Sequence, residues 1–219
     1  FVRFDLTDTR REAARKLAGA CFVCKVCDGV ACRGLIPGFG GVGTGSSFTN
    51  NVEALARRKL NLRVLHEERE PDTRIRLFGI DLSMPILGAA VAGVGVNKIS
   101  DMTEQELADA MVLGPAAAGT LGMGGDGGDS EVFRAGLAAA EHAGGEAIVV
   151  IKPRLQPELL TRIEAAKRAH VAAIAVDVDA AGLVNMAILK QKVEPKSPTQ
   201  IRELVNAAGS TPLILKGIM

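Results

Sequence analysis

Short, uninterrupted apolar runs recur along the second half of the chain, with amphipathic segments between them. The runs are residues 85–90, 117–121, 147–151, 173–178 and 213–215, each bounded by Gly, Asp or Lys. Continuous apolar runs of this length are typical of strands that are covered on both faces, as in parallel sheets. The pattern therefore predicts five parallel strands in an α/β fold.

Helix-start signals precede most of the segments between these runs. Thr103 and Glu106 have the spacing of a capping box, as do Ser197 and Gln200, which predicts a helix N-terminus at each pair. Pro157 occupies a position at which a first helical turn accepts proline.

Another helix is predicted after Ser130, which precedes regularly spaced apolar positions. Five strands with four intervening helices amount to about 30 residues per βα unit, as expected for such units. The pattern therefore predicts a parallel sheet; a TIM (β/α)₈ barrel needs eight such units, of which this chain would supply five. Because the pattern stops where the next helix should begin, we expect the barrel to be truncated after strand 5.

The first part of the chain follows a different pattern. Residues 8–18 predict an amphipathic helix capped by Asp8, and a second helix is predicted from about Asn50, where Asn50 and Glu53 have capping-box spacing. Residues 74–82 alternate and predict a hairpin or edge segment. The chain thus divides into a Cys-rich and Gly-rich N-terminal extension (residues 1–75) and the barrel units (residues 76–219).

All four cysteines lie close together in that extension, at Cys21, Cys24, Cys27 and Cys32. This spacing is similar to the cysteine run of bacterial ferredoxins, with one additional residue before the last cysteine and Arg33 in place of the proline. Structural disulfides are not expected in a cytoplasmic protein. The cluster predicts either a metal site, holding an iron–sulfur cluster or zinc, or reduced and redox-active thiols.

A glycine-dense loop follows the cysteines. Gly38, Gly40 and Gly43 formally match the dinucleotide-binding fingerprint, but no strand of a βαβ unit precedes them. We interpret the loop as a lid or positioning loop beside the barrel mouth.

The charge balance excludes several classes of partner. The 26 Lys and Arg residues against 25 Asp and Glu residues give a net charge of +1, which argues against a nucleic-acid partner. No apolar run reaches the roughly 20 residues that a membrane-spanning helix needs, and no secretory signal is recognisable. We therefore expect a cytoplasmic protein without nucleic-acid or membrane partners.

Charged and small residues follow the predicted strands, at the edge where parallel α/β folds bind ligands. The charged residues are Lys152, Asp177, Asp179 and Lys216. Small residues follow the first two strands, at 90–93 and 122–125, where the backbone can approach a flat ligand closely. Any one of these residues is equally well explained as an ordinary polar loop position, so the convergence of several predicts the ligand site.

Several of these stretches resemble the FMN-dependent α-hydroxy-acid dehydrogenase/oxidase family. They are residues 61–66, 71–73, 77–79, 82–86, 177–179 and 213–217. Residues 24–29 and 37–45 are similar to the bacterial branch that carries an N-terminal cysteine cluster, the α-hydroxy-acid-oxidising proteins. The resemblance covers essentially the whole chain and implies a TIM barrel with FMN at its C-terminal mouth.

The resemblance also implies roles for single residues. Ala90, Val91 and Ala92 are expected under the flavin, and Gly122 near its ring. Lys216 matches the lysine that faces flavin N1 and O2 and stabilises the reduced ring.

Two aspartates and a lysine complete the implied site. Asp179 matches the acidic residue that orients the family's catalytic histidine, and Asp177 and Lys152 are expected beside the cofactor. Lys152 stands where the hydroxy-acid oxidases place a substrate-binding tyrosine, and the chain has no tyrosine. We expect Lys152 to pair with a substrate carboxylate or phosphate. Since residues 183–188 are uncharged, the family's substrate arginine has no match.

The implied reaction is hydride transfer from a small 2-hydroxy acid, such as lactate or glycolate, to FMN. The family's histidine and flavin-phosphate loops lie beyond Met219, so we expect this chain alone to be inactive and the full-length protein to be a homo-oligomer. One alternative is a type 2 isopentenyl-diphosphate isomerase, which would need more basic residues at the mouth than Lys152 and Arg154. Another is an electron-transfer protein that uses the cysteine cluster.

Overall fold

The computed structural model describes residues 5–35, 41, 43–97, 99 and 101–218. Contacts divide the chain into two compact units. The N-terminal unit comprises Phe1–Pro71 and Val94–Asp101, and the sheet unit comprises Asp72–Gly93 and Met102–Met219. The domain boundary predicted after residue 75 stays a prediction.

The first helix, α1 (Leu6–Lys16), begins two residues earlier than its sequence signal suggested. Its N-cap is Asp5, whose Oδ1 accepts hydrogen bonds from the amides of Thr7 and Asp8 at 2.8 and 3.1 Å. Asp8 was therefore the wrong cap, because the preceding aspartate reaches the same free amides first.

The second helix, α2 (Ser46–Ala56), also begins earlier than predicted. Gly45, with φ of 68°, turns the chain into the helix, a conformation that glycine adopts without strain. Asn50 lies inside the helix rather than at its cap. Gly38 and Gly40 of the formal fingerprint lie outside the described residues.

The predicted hairpin over residues 74–82 is present. Strands β1 (Ile75–Leu77) and β2 (Ile80–Leu82) pair antiparallel. Phe78 and Gly79 both have positive φ, 51° and 81°, as a two-residue type I′ turn requires.

A four-stranded parallel sheet is the centre of the described sheet unit. In order across the sheet, its strands are β3 (Gly122–Gly124), β4 (Ala147–Ile151), β5 (Ala173–Asp177) and β6 (Leu213–Lys216). Neighbouring strands are parallel throughout. The last three predicted strands are thus confirmed, with end points within one residue.

Helices flank this sheet, namely α3 (Glu104–Ala117), α4 (Ser130–His142), α5 (Gln156–Arg168), α6 (Val184–Ile188) and α7 (Pro198–Ala208). Complete capping boxes start α3 at Thr103 and α7 at Ser197, as predicted. Pro157 lies in the first turn of α5. The cap of α4 is Asp129 rather than Ser130, since the Asp129 carboxylate accepts the Glu131 amide at 2.9 Å. A short 3₁₀ helix, Val178–Gly182, and α6 were not predicted.

The first two predicted strands were wrong in position. Residues 85–90 form no strand, although the Gly88 amide donates to the Leu121 carbonyl at 2.9 Å. Residues 117–121 contain the end of α3 and a turn, so that β3 begins at Gly122. An alanine-rich apolar run suits a helix end as well as a strand, and periodicity does not separate the two.

Side-chain alternation along the strands creates two apolar clusters. The outer cluster joins Val149, Ile151 and Val176 to side chains of the helices, such as Leu159 and Leu204. The inner cluster lies on the opposite face of the sheet and contains Leu82 of the hairpin together with Leu121, Ile148, Val150, Ala173 and Ala175.

The sheet topology agrees with an α/β barrel segment, and closure of the barrel and its truncation stay predictions. Among the described helices, none combines the length and the apolar character needed to cross a membrane.

Candidate active site

Three charged residues continue the inner face of the sheet at its C-terminal edge. In β4 the side chains of Ile148 and Val150 belong to the inner cluster. Because alternate residues of a strand face the same side of the sheet, Lys152, two residues after Val150, continues this face. Asp177 ends β5, and its partner in the register of β6 is Lys216. The strands therefore bring together three of the predicted site residues.

A single carboxylate holds both lysines. Lys152 Nζ donates to Oδ2 of Asp177 at 2.5 Å, and Lys216 Nζ donates to Oδ1. The Asp177 side chain is 7% exposed, that of Lys152 18% and that of Lys216 44%. We call Lys152, Asp177 and Lys216 the mouth cluster. With two cations and one anion it carries a net positive charge, part of which faces solvent.

The electrostatics of Asp177 favour its ionised form. Burial by itself would raise the pKa of this carboxyl group, because the charged form loses hydration. The hydrogen bonds from Lys152 and Lys216 outweigh burial and hold the pKa of Asp177 below its usual value. Asp177 is therefore a fixed anion that orients two ammonium groups.

Asp179 lies beside this cluster, in the 3₁₀ helix that follows β5. Burial first, and then the hydrogen bond and negative charge of Asp177, raise the pKa of Asp179, while Lys216 acts in the opposite direction. The Asp179 carboxyl group lies against Gly217, since a Cβ on that glycine would be 2.2 Å from Asp179 Cγ. Two adjacent carboxyl groups with oppositely shifted pKa values are able to hold a proton between them.

The segment predicted to lie under the flavin, residues 90–92, passes the end of β3. The following amide, that of Gly93, donates to Oε1 of the buried Glu104 at 2.8 Å. A Cβ on Gly125 would lie 2.6 Å from Cβ of Ala92. Ala92 thus lies against Gly125, just after β3, and the Gly93 amide next to it is held by Glu104.

The side of Gly122 that would carry a side chain faces α3. A Cβ there would lie 2.3 Å from the Met111 carbonyl oxygen and 2.6 Å from Val112 Cα. Glycine at this position lets the helix pack directly on β3. The flavin contact predicted for Gly122 stays a prediction.

The sequence did not predict the pairing of two buried charged residues, Arg154 and Asp126. The Arg154 side chain is 1% exposed, and its Nε and Nη2 donate to the two oxygens of Asp126 at 3.0 and 3.1 Å. The sequence interpretation counted Arg154 among the basic residues of the mouth, and this was wrong. Both residues follow strands, but their separation of 28 positions leaves no local pattern that would reveal the pair.

The four cysteines of the N-terminal unit all fall among the described residues. Burial first, and then the neighbouring Cys21, Cys27 and Cys24 thiols, raise the pKa of Cys32. No group of three or more Cys, His, Asp or Glu among the described residues is arranged to hold a metal ion. The iron–sulfur or zinc site predicted at Cys21, Cys24, Cys27 and Cys32 is therefore not supported.

A cavity of about 350 Å³ lies between the loop after β4 and the segment after β5. Its walls include Leu155, Leu183, Ala187, Gln191 and Val193. None of the mouth-cluster residues lines this cavity.

Comparison with known proteins gives a family and a fold. A family described as FMN-dependent dehydrogenase matches residues 39–215. The fold is similar to the crystal structure of a lactate oxidase from Pediococcus acidilactici, with a TM-score of 0.68 and 21% sequence identity. The similarity covers 100% of this chain and 61% of that one, so the chain spans about three fifths of the length of that structure. No curated protein matches the chain.

The family match extends from the glycine-rich loop to Leu215 in β6, over most of the chain. It includes Lys152 and Asp177 of the mouth cluster, stops one residue before Lys216, and agrees with the family resemblance of the sequence. The chain belongs to the FMN-dependent dehydrogenase family.

Proposed function

We propose that this protein is an FMN-dependent oxidoreductase that removes a hydride from a small 2-hydroxy acid of the size of lactate or glycolate. The observation that carries the proposal is the mouth cluster. It brings two ammonium groups to the C-terminal edge of a parallel sheet, which is where α/β folds bind their ligands.

The residues present fit a flavin at this edge. The ring is flat and carries hydrogen-bond acceptors along one side, so it suits a closely approaching backbone and a nearby cation. Residues 90–93 supply such a backbone, and Lys216 supplies the more exposed ammonium group. When bound, FMN would accept the hydride of the substrate.

The chain's own residues divide the remaining tasks. Lys152 pairs with the substrate carboxylate, in the place of the absent tyrosine, and Asp177 keeps Lys152 and Lys216 oriented. Asp179, in the 3₁₀ helix that follows β5 and against Gly217, is placed beside the mouth cluster to accept a hydrogen bond from the base that takes the hydroxyl proton and so to orient that base.

The two alternatives receive less support. Arg154 is committed to Asp126, so it is not available to bind the diphosphate of an isomerase substrate. The electron-transfer alternative needs a metal group at the cysteines, and the described residues offer no arrangement for one.

The test is an absorption spectrum of the protein, produced from its complete gene and purified without oxygen. We expect flavin bands that bleach on addition of lactate or glycolate. Replacing Lys152 by Met should raise the substrate concentration needed for bleaching. The matched variant Lys167→Met, on the outer helix α5, should not.

Two other results would count against the proposal. Flavin bands that no 2-hydroxy acid bleaches would overturn the substrate assignment. A protein that binds no FMN would overturn the cofactor assignment as well.

A further inference from the structure

Asp126, two residues after the end of β3, is a fully buried carboxylate that accepts five hydrogen bonds. Its side chain is 0% exposed. Oδ1 accepts from the Gly127 amide at 2.8 Å, from Arg162 Nη1 at 2.9 Å and from Arg154 Nη2 at 3.1 Å. Oδ2 accepts from Arg154 Nε and from the backbone amide of Lys152, both at 3.0 Å.

The charges around Asp126 balance without any ligand. Glu158 accepts from Arg154 at 2.8 Å and from Arg162 at 3.2 Å, so that two arginines face two carboxylates. Arg162 also lies over the Phe133 ring, with its Cζ 4.4 Å from the centroid. Because its donors and acceptors bond to one another, this network is better suited to a structural role than to binding a ligand.

One of the five bonds reaches the mouth cluster directly. The Lys152 amide is the first backbone N–H after β4, and it donates to Oδ2 of Asp126. A peptide that is held at this point determines the direction in which the Lys152 side chain leaves the strand. That side chain then meets Asp177.

We propose that Asp126 is a positioning residue, which fixes the Lys152 backbone so that the Lys152 ammonium group is held at Asp177 at the mouth of the sheet. Arg154 and Arg162 hold the Asp126 carboxylate in place for this task. The value of this positioning for catalysis rests on the proposed function, in which Lys152 binds the substrate carboxylate.

The experiment reads out Lys152 directly and needs no flavin. Two rates are measured in the wild type and in Asp126→Asn, namely the hydrogen exchange of the Lys152 amide and the acylation of Lys152 Nζ by acetic anhydride, followed by mass spectrometry. We expect both rates to rise on the order of tenfold, the effect of losing one charge-assisted hydrogen bond. Lys167, which bonds Glu164 and the Ala207 carbonyl on the outer side, is the internal control and should not change.

Two further variants keep the test decisive if Asp126→Asn does not fold. Asp126→Glu retains the charge that the arginines need but displaces the carboxylate from the Lys152 amide, and should raise both rates. Arg162→Gln removes one of the donors that hold the Asp126 carboxylate in place, and should raise both rates by less than the Asp126 variants do. Unchanged Lys152 rates in both Asp126 variants would overturn the proposal, as would an equal rise at Lys167.

The flavin-loaded enzyme separates this inference from the proposed function. If both hold, Asp126→Glu raises KM for lactate or glycolate more than it lowers kcat. If Lys152 becomes more reactive and KM does not change, the positioning role stands and the substrate role of Lys152 falls.

Discussion

At the scale of single residues, the site depends on two neighbouring aspartates whose environments differ. Asp177 is buried and accepts hydrogen bonds from two lysines, whereas Asp179 is more exposed and faces the negative charge of Asp177. Their pKa values are consequently shifted in opposite directions. This contrast makes their effects on stability depend on pH with opposite signs.

Replacing Asp177 by Asn is expected to lower the free energy of unfolding at pH 7 by about 1–3 kcal/mol, because two ammonium groups lose their shared anion. The pKa of Asp177 is depressed in the folded state, so its contribution is present above about pH 4 and is lost as the pH falls through the folded value. Urea denaturation should therefore show a smaller difference between variant and wild type at pH 3 than at pH 7.

Replacing Asp179 by Asn is expected to act with the opposite sign. The pKa of Asp179 is raised in the folded state, so its contribution is present below about pH 4 and is lost as the pH rises through the folded value. In the same titration the variant should gain stability relative to the wild type between pH 3 and pH 7. A relative loss over that interval would contradict the assigned electrostatics.

At the scale of elements, the contact between α3 and β3 depends on a glycine. An alanine at Gly122 would place its Cβ 2.3 Å from the Met111 carbonyl oxygen, so α3 would have to move. We expect Gly122→Ala to lower the free energy of unfolding by about 1–3 kcal/mol, the usual effect of overpacking. The control is Gly182→Ala, where a Cβ meets open space and the change should stay within about 0.5 kcal/mol. Equal effects of the two variants would refute this packing.

The start of α4 offers a second test at this scale. The sequence pointed to Ser130, but the side chain that accepts a helix amide is that of Asp129. Asp129→Ala should reduce the free energy of unfolding by about 0.5–2 kcal/mol. Ser130→Ala should have almost no effect in the same denaturation experiment. A larger loss of stability in Ser130→Ala than in Asp129→Ala would show that Ser130 is the N-cap.

At the scale of the whole molecule, an apolar stretch of the N-terminal unit lies in solvent. Leu60, Leu62 and Leu65 are 95%, 84% and 95% exposed. Exposed apolar side chains in such number promote association.

Replacing all three leucines by Ser should lower the binding of a hydrophobic dye and the tendency to self-associate, as measured by fluorescence and light scattering. The free energy of unfolding should change by no more than about 0.5 kcal/mol per residue. A larger loss of stability would mean that these leucines are packed.

Much of the sheet unit was predictable, because its signals are local. Complete capping boxes at Thr103 and Ser197 marked two helix starts, and the apolar runs of β4 and β5 marked two strands. The same reasoning failed over residues 117–121, where an alanine-rich run belongs to a helix end. Propensity is too weak there to choose between helix and strand without the partner elements.

By itself, the sequence determined the family, the last three strands of the sheet, the starts of α3, α5 and α7, and the set of charged residues that follow the strands. Only the tertiary structure decided how those charges pair. Asp177 serves two lysines that are 25 and 39 positions away, and Arg154 turns from a supposed ligand-binding residue into the partner of Asp126. The reason is physical: periodicity and capping act over a few residues, whereas a buried charge finds its partner through the packing of strands that are far apart in the chain.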